Sequence, residues 1–409
     1  MPLTPLAALV DVRPLREHPP FRRLWLGSTA SGIGGQFGAF AVTYYVWDRT
    51  RSPAMVGLVG LAVAAPIVVV ALAGSAFIDQ ADRRRLALLT TAGQLVTGLL
   101  MVLVAALPGN GVWAMLGLTA AASALSALGT PVLRSLIPGL LPPARLAAGL
   151  ALTHLSFQLA MLVGPALAGV VTAASGTAWC LAIDAVTFVA ALAGIAALPR
   201  TAPVAAAGPR GLAAIVDGIR FTARSPVVRG ALLSDLCATF LAMPWALFPL
   251  LNAERFGGSP QVLGLFGSAI AVGGVLASAL SGLATRPGRP GLVLLGGGVA
   301  WGAALGVAGL STRLPLTLAA LAVAGAADTW AVISRGTAVQ TTTPESHRGR
   351  VAALEHIAGS AGPQLGNLRA GLVAAATSGG FAMVTGAAAS LLGVGLVALL
   401  SPRLRALRV

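Results

Sequence analysis

Mostly apolar runs, each roughly 18–25 residues long, recur about twelve times along the chain and are separated by short arginine-bearing breaks. At a rise of 1.5 Å per residue, one such run crosses the roughly 30 Å hydrocarbon core of a bilayer. In lipid, backbone N–H and C=O groups must pair within their own segment, so the pattern predicts spanning helices. The runs place them near 24–46, 55–77, 87–106, 112–134, 148–172, 178–198, 227–251, 261–284, 291–310, 314–336, 351–375 and 380–400. The expected fold class is all-α integral membrane: twelve transmembrane helices in two six-helix pseudo-symmetric bundles.

The longest polar break divides the chain. Residues 199–226 are rich in Pro, Gly and Ala and read as a linker, with Ile215–Ala223 as a short surface helix. The expected organisation is a cytoplasmic leader (1–23), an N-terminal bundle (24–198), the linker (199–226), a C-terminal bundle (227–400) and a cytoplasmic tail (401–409). The halves echo each other about 200 residues apart. Gly164-Pro165 in helix 5 answers Gly362-Pro363 in helix 11, and Arg134 closing helix 4 answers Arg335 closing helix 10. The basic run after Asp79 answers Thr285-Arg286-Pro287-Gly288-Arg289. Duplication of a six-helix unit is the architecture in which a substrate sits between two rocking halves.

Composition removes the soluble alternative. Apolar types make up 56% of 409 residues and charged types 10%, too few to cover a soluble surface. A formal charge of +15 invites a nucleic-acid reading, but the positions of the charges oppose it. All 27 basic residues are arginine; with both termini cytoplasmic, 22 fall on that side or at its boundary. Arg49, Arg51, Arg255 and Arg313 fall outside, and Arg369 lies within a span. That asymmetry is the positive-inside rule, with anionic-lipid contact as a secondary role. Trp25, Trp47, Trp113 and Trp179 sit at helix ends as interfacial anchors would. Cys180 and Cys237 are too few for a disulfide framework or metal site. No phosphate loop, HExxH, CxxC or nucleophile elbow is present, so neither an enzyme nor a cofactor is expected.

Together these segments resemble the major facilitator superfamily, and within it the enterobactin-type siderophore exporters and their drug-efflux relatives. The resemblance rests on FRRLWLGSTASGIG, GSAFIDQADRRRLALL, TPVLRSLIPGLLPPARLAAGLAL and VGPALAG in the first half. GIRFTARSPVVRGALL, RPGLVLL, QTTTPESHRGRVAAL and GSAGPQLGNLRAG carry it in the second. The helix 2–3 loop departs from the superfamily pattern: Asp79 and the basic run remain, while the first Arg and the turn Gly are gone. The resemblance implies a central cavity lined by helices 1, 4, 7 and 10.

Intramembrane ionisable groups are costly and therefore informative. Asp235 in helix 7 and Asp328 in helix 10 are the proton-coupling candidates; the alternative is structural pairing with a nearby Arg or hydroxyl. Asp184 near the outer end of helix 6 reads as structural, partnered by a local hydroxyl or backbone group. Arg369 either holds an anionic substrate, pairs with an acid or snorkels outward. Gln36, Phe40, Thr43 and Trp47 share one face of helix 1, and Ser123, Ser126, Thr130 and Arg134 one face of helix 4. His154 and Gln158 share a face of helix 5, as do His356, Ser360 and Asn367 on helix 11. Trp245 and Trp330 are candidates to stack on a ligand. The alternative for each polar group is interhelical hydrogen bonding.

Asp79, Arg83, Arg84, Arg134 and Arg145 cluster on the cytoplasmic side of the first half. Arg335, Glu345, Arg348, Arg350 and Glu355 do so in the second. The resemblance implies a cytoplasmic gate in which Asp79 meets the positive N-terminal end of helix 11 near Arg350; the alternative is a solvated positive-inside surface. Gly164-Pro165 and Gly362-Pro363 are expected to bend their helices. The expected function is secondary export of a small amphipathic molecule, siderophore-like or another secondary metabolite, by alternating access with proton antiport. A broad drug-efflux pump is the alternative, and a non-transporting membrane scaffold or sensor the rival class. The expected partners are that small molecule, protons and the lipid bilayer, with no nucleic acid, in a monomer. The expected location is the bacterial inner membrane, both termini cytoplasmic.

Overall fold

The computed structural model describes residues 11–73, 82–198, 212–282 and 288–409, and among them are twelve long helices and no strand. We number them α1 (Pro19–Thr50), α2 (Pro53–Ala73), α3 (Arg83–Ala106), α4 (Val112–Leu140), α5 (Pro143–Ser175) and α6 (Thr177–Ala196). The second half contributes α7 (Pro226–Ala242, resuming as Phe248–Arg255), α8 (Pro260–Ala279), α9 (Pro290–Leu310), α10 (Leu314–Thr342), α11 (Glu345–Ala376) and α12 (Gly379–Leu400). Ten of them are long and apolar enough to cross a membrane on composition alone. The other two, α1 and α11, are each 32 residues long and carry interior Ser, Thr, Gln and Asn that lower their hydropathy. Both prove to wall the central cavity.

Helices overrun the apolar runs where a proline can start them. Pro19, Pro143 and Pro290 lie in first turns, where a missing N–H costs nothing and the fixed φ suits the helix. On the arginine-rich face α10 and α11 continue to Thr342 and from Glu345, beyond the bilayer-length apolar stretch. α7 is the exception to continuity. Pro244 has no N–H to give and pushes Met243 into an extended conformation (φ −73°, ψ 123°), so the helix stops at Ala242. It resumes through a 3-10 turn, Trp245–Leu247, where an unbroken span was expected.

The packing repeats between halves. In the first, α1 packs on α5 and α6, α3 on α4 and α6, and α2 on α4. In the second, α7 packs on α11 and α12, α9 on α10 and α12, and α8 on α10. The halves then meet through α2 with α11 and α5 with α8, again corresponding helices. Twelve alternating crossings put the start of α1 and the end of α12 on one face, the arginine-rich one. The C-terminal Val409 N–H bonds Gly288 O in the α8–α9 connection there (3.0 Å). Near the other end, Arg145 pairs with Glu17 at 3.0 Å. Asp11 is held down to about 2 by the Arg13 side-chain hydrogen bond, so it is ionised on that face at any physiological pH.

Small residues set the spacing. Gly57, Gly60 and Gly371 rest on backbone atoms across the α2–α11 seam, and Gly169 and Gly264 across the α5–α8 seam. All five lie toward the face opposite the arginines. Without a hydrophobic drive between helices in lipid, such backbone-to-backbone approach is the main source of cohesion. Trp113 and Trp179 are exposed at helix starts on that face, whereas Trp47 is buried below Arg51, whose guanidinium lies 5.9 Å from its ring.

Two glycines on α10 make a matched test. A methyl at Gly325 would collide with the Ile270 carbonyl of α8, while Gly336 faces open space. Gly325→Ala should therefore destabilise by about 1–3 kcal/mol. Gly336→Ala should be neutral or stabilise by up to about 1 kcal/mol through helix propensity. Thermal unfolding of the detergent-solubilised protein measures both, and equal midpoints would contradict the packing.

Candidate functional site

Between the halves lies a cavity of about 600 Å³. The first half contributes α1 through Gln36, Phe40 and Thr43, and α4 through Ser123, Ser126 and Thr130. The second contributes Trp245 and Phe248 from the α7 break, and His356, Ser360 and Asn367 from α11. Pro165 adds a wall from α5. Polar groups are scattered over an otherwise apolar surface, the lining of a small-molecule site.

The α7 break brings in the aromatic wall, and α11 repairs the backbone it leaves open. Stopping at Ala242 leaves Leu241 C=O without its helical donor; Arg369 Nη2 supplies one at 2.5 Å. Asn367 Oδ1 accepts from Ala246 N–H at 3.3 Å, and its amide donates to Gln364 Oε1 at 3.3 Å. Unpaired backbone groups in a bilayer cost several kcal/mol each, so these contacts hold the break in place. Arg369 is half-buried at the α7–α11 contact and does not line the cavity. Trp245 then packs on Phe248 (centroids 5.4 Å).

A second polar centre lies within the C-terminal half. Asp235 is buried on α7 and forms an ion pair with Arg335 of α10, whose Nε lies 3.7 Å from Glu355 Oε1 of α11. Three helices thus share one buried cation between two carboxylates. Asp328, two turns before Arg335 on α10, is half-buried with no hydrogen bond or ion pair among the described residues. Other expected residues point elsewhere. Trp330 donates its indole N–H to Ala277 O of α8 (3.0 Å), and Gln158 bonds Ser278 of the same helix (3.3 Å). His154 is exposed. Gly164-Pro165 and Gly362-Pro363 lie inside continuous helices.

The arginine-rich face is only partly networked. Arg84 caps the C-terminal end of α6 through Ala196 O (2.6 Å), where a cation suits the helix dipole. Arg83 and Arg134 have no ion pair among the described residues, and Asp79 lies outside them. Arg350 is ion-paired with Asp217 of an amphipathic helix, Leu212–Arg224, which leads into α7. Phe221 of that helix stacks on His347 (4.7 Å), so its contact falls on the start of α11.

The transmembrane secretion effector family matches residues 10–408. The chain belongs to that family of major facilitator superfamily transporters. It is 27% identical over 383 residues to the enterobactin exporter EntS of Shigella boydii serotype 18, covering 92% of each chain. The match to EntS of Escherichia coli O139:H28 has the same identity and coverage. Among solved structures, a bacterial homologue of the iron transporter ferroportin in an inward-facing state aligns with a TM-score of 0.71 and 16% identity. That alignment covers 94% of this chain and 99% of that one. A POT family transporter in complex with a thioalcohol-conjugated peptide aligns at 0.72 with 12% identity, covering 94% and 96%. These likenesses show the fold. The family and its curated relatives are multi-pass membrane transporters with exporters among them, not enzymes.

For a secretion effector of this fold, the sequence missed several cavity residues. Gln94 and Thr97 of α3, Thr119 of α4, Asp184 of α6 and Gln364 of α11 all line it. Gln364 could have been found as one turn beyond Ser360 on the same helical face. The α3 and α6 residues carry no comparable local signal.

The Arg335 centre can be tested by removal. Arg335→Leu strands two carboxylates in a buried site and should cost about 3–5 kcal/mol. Adding Asp235→Leu to it should restore much of the loss. Thermal unfolding in detergent reads both; an Arg335→Leu protein as stable as wild type would contradict the cluster.

Proposed function

We propose that this protein is a secondary active exporter that moves a small amphipathic molecule, siderophore-like or another secondary metabolite, out of the cytoplasm by alternating access. The observation that carries the reading is the central cavity, walled by helices of both six-helix halves in a chain whose curated relatives are exporters. The tight glycine seams toward the face opposite the arginines support an inward-facing state, with the cavity reached from the cytoplasm. The protein would sit in the bacterial inner membrane with both termini, the arginine-rich face and the 199–226 linker cytoplasmic, and work as a monomer. The halves, 24–198 and 227–400, would rock as units.

Proton antiport supplies the energy in this reading. One charge falling through 100 mV releases about 2.3 kcal/mol. Asp235 and Asp328 are the coupling groups. Protonating Asp235 removes its pull on Arg335, which then turns to Glu355. That exchange couples a proton to the spacing of α7, α10 and α11. Asp79, Arg83, Arg84, Arg134, Arg335, Arg350 and Glu355 form the cytoplasmic gate in the alternate state. A broad drug-efflux pump is the second reading, favoured by Met101, Met161 and Met243 in the wall, since flexible thioethers adapt to many shapes.

Topology and coupling are separately testable. In a background lacking Cys180 and Cys237, a membrane-impermeant thiol reagent applied to intact cells should label Asn110→Cys and spare Ser346→Cys. The reverse pattern would invert the orientation. Asp235→Asn or Asp328→Asn should abolish uphill efflux while retaining substrate binding, because charge is lost and volume kept. If both variants pump at wild-type rates with wild-type pH dependence, coupling lies elsewhere.

A further inference from the structure

Among the described residues that line the central cavity, Asp184 is the one carboxylic acid; the only other ionisable group is His356, on α11. No arginine reaches the wall. Asp184 stands mid-way along α6, and its Oδ1 is buried with no hydrogen-bond partner. Its Oδ2 fills the space left by Gly38 of α1, where a methyl group would collide with it. Gly34, one turn earlier, leaves the same room for Thr187. The Thr187 hydroxyl donates to the Asp184 backbone carbonyl (2.7 Å) and not to the carboxylate. A local hydroxyl or backbone partner for the carboxylate, expected from the sequence, is therefore absent among the described residues.

The helices around α6 provide no counter-charge. It packs on α1, α3 and α5. The charged residues of those helices, Arg22, Arg23, Asp48 and Arg49 on α1, Arg83–Arg85 on α3 and Arg145 on α5, all lie in their end turns. His154 on α5 is exposed, and Cys180, one turn before Asp184, bonds Ala168 O (3.5 Å). Tyr45 on α1 is directed to Val104 O (3.5 Å), and Tyr44 stacks beside Phe40 (6.2 Å). A buried carboxylate with neither donor nor cation is costly, and a purely structural one would have a partner. The cavity wall to which it belongs also carries aromatic and thioether surface: Phe188 one turn along α6, Phe40, Trp245, Met101 and Met161. Ring faces and polarisable sulfur attract poorly hydrated organic cations. An anion would meet the carboxylate with only neutral donors and His356 in the wall and no arginine to offset it.

We propose that Asp184 is the charge-recognising residue of the cavity, and that the substrate class is an amphipathic organic cation with aromatic or apolar bulk around a positive centre. The assignment rests on the exporter reading above and narrows its substrate. The same carboxylate binds either the cation or a proton, so acidification competes with the ligand.

The test uses two probes of one size and opposite charge, tetraphenylphosphonium and tetraphenylborate, in equilibrium binding to the purified full-length protein in detergent. The wild type should bind the cation and not the anion, more weakly as pH falls. Asp184→Asn should weaken the cation at least about tenfold, a loss of about 1.4 kcal/mol, and reduce the pH dependence to whatever His356 contributes. Asp184→Glu should keep most of the affinity. Wild-type affinity in Asp184→Asn overturns the assignment, as does preference for the anion or no binding of the cation by the wild type. Should Asp184→Asn not fold, wild-type binding that is insensitive to acid overturns it equally. The exporter reading has its own readout: uncoupler-sensitive efflux from energised cells. Efflux with charge-blind binding removes only the Asp184 assignment, whereas specific cation binding without energised efflux removes only the exporter reading.

Discussion

Everything in this molecule follows from the need to satisfy backbone hydrogen bonds where water is absent. Eleven of the twelve long helices meet it by running unbroken through the bilayer, prolines included. α7 does not, and the remedy is specific: Arg369 and Asn367 of α11 reach across to Leu241 C=O and Ala246 N–H. An arginine there is not a free charge in lipid, because its head group is engaged with a carbonyl that would otherwise be bare. The break also turns Trp245 and Phe248 into the cavity. The shape of the site and the repair of the backbone are thus one arrangement, and neither side of the α7–α11 contact can change alone.

The seams between halves obey a different rule. Gly57, Gly60 and Gly371 on one side, and Gly169 and Gly264 on the other, bring backbones together across the seams. Interdigitated large side chains would have to unpack before the halves could move. Glycine against carbonyl gives cohesion through close approach and leaves a comparatively smooth surface, which suits a joint between two bundles better than a core. The cores themselves lie within the halves, around Phe37, Met115 and Leu181 in the first and Phe266, Leu305 and Leu321 in the second.

The spans were legible in the sequence because apolar length is a local property, and the arginine asymmetry gave the expected orientation for the same reason. The pairing of corresponding helices was foreshadowed by Arg134 and Arg335 and by the two Gly-Pro pairs. Helix ends were less legible, since hydropathy marks the bilayer while hydrogen bonding continues to Thr342 and from Glu345. Pro244 was visible, yet averaging over a span hides one interrupted turn. Helical spacing showed that Gln158 shares a face with His154, but not that α8 would take its amide at Ser278. Asp184 was hardest of all: its place in the cavity depends on Gly34 and Gly38 of another helix. Their i, i+4 spacing is a small-residue face, and that was the one available signal that α6 would come close.

The two halves handle buried charge differently. Asp235 is committed: Arg335 pairs with it, and Glu355 shares that arginine. Its charge is balanced inside the protein, and any change in its protonation must be transmitted through the arginine to α10 and α11. Asp184 has no such commitment, because Gly38 gives its carboxylate space and no hydrogen bond. A balanced group can relay a change between helices but has little attraction left for a visitor. An unbalanced one can relay nothing within the protein and attracts whatever positive charge enters the cavity. In the proposed reading, placing the first beside the arginine-rich face and the second within the cavity wall would separate the movement of helices from the recognition of ligand. That reading would give the pseudo-two-fold repeat of the backbone a division of labour that the backbone alone does not have.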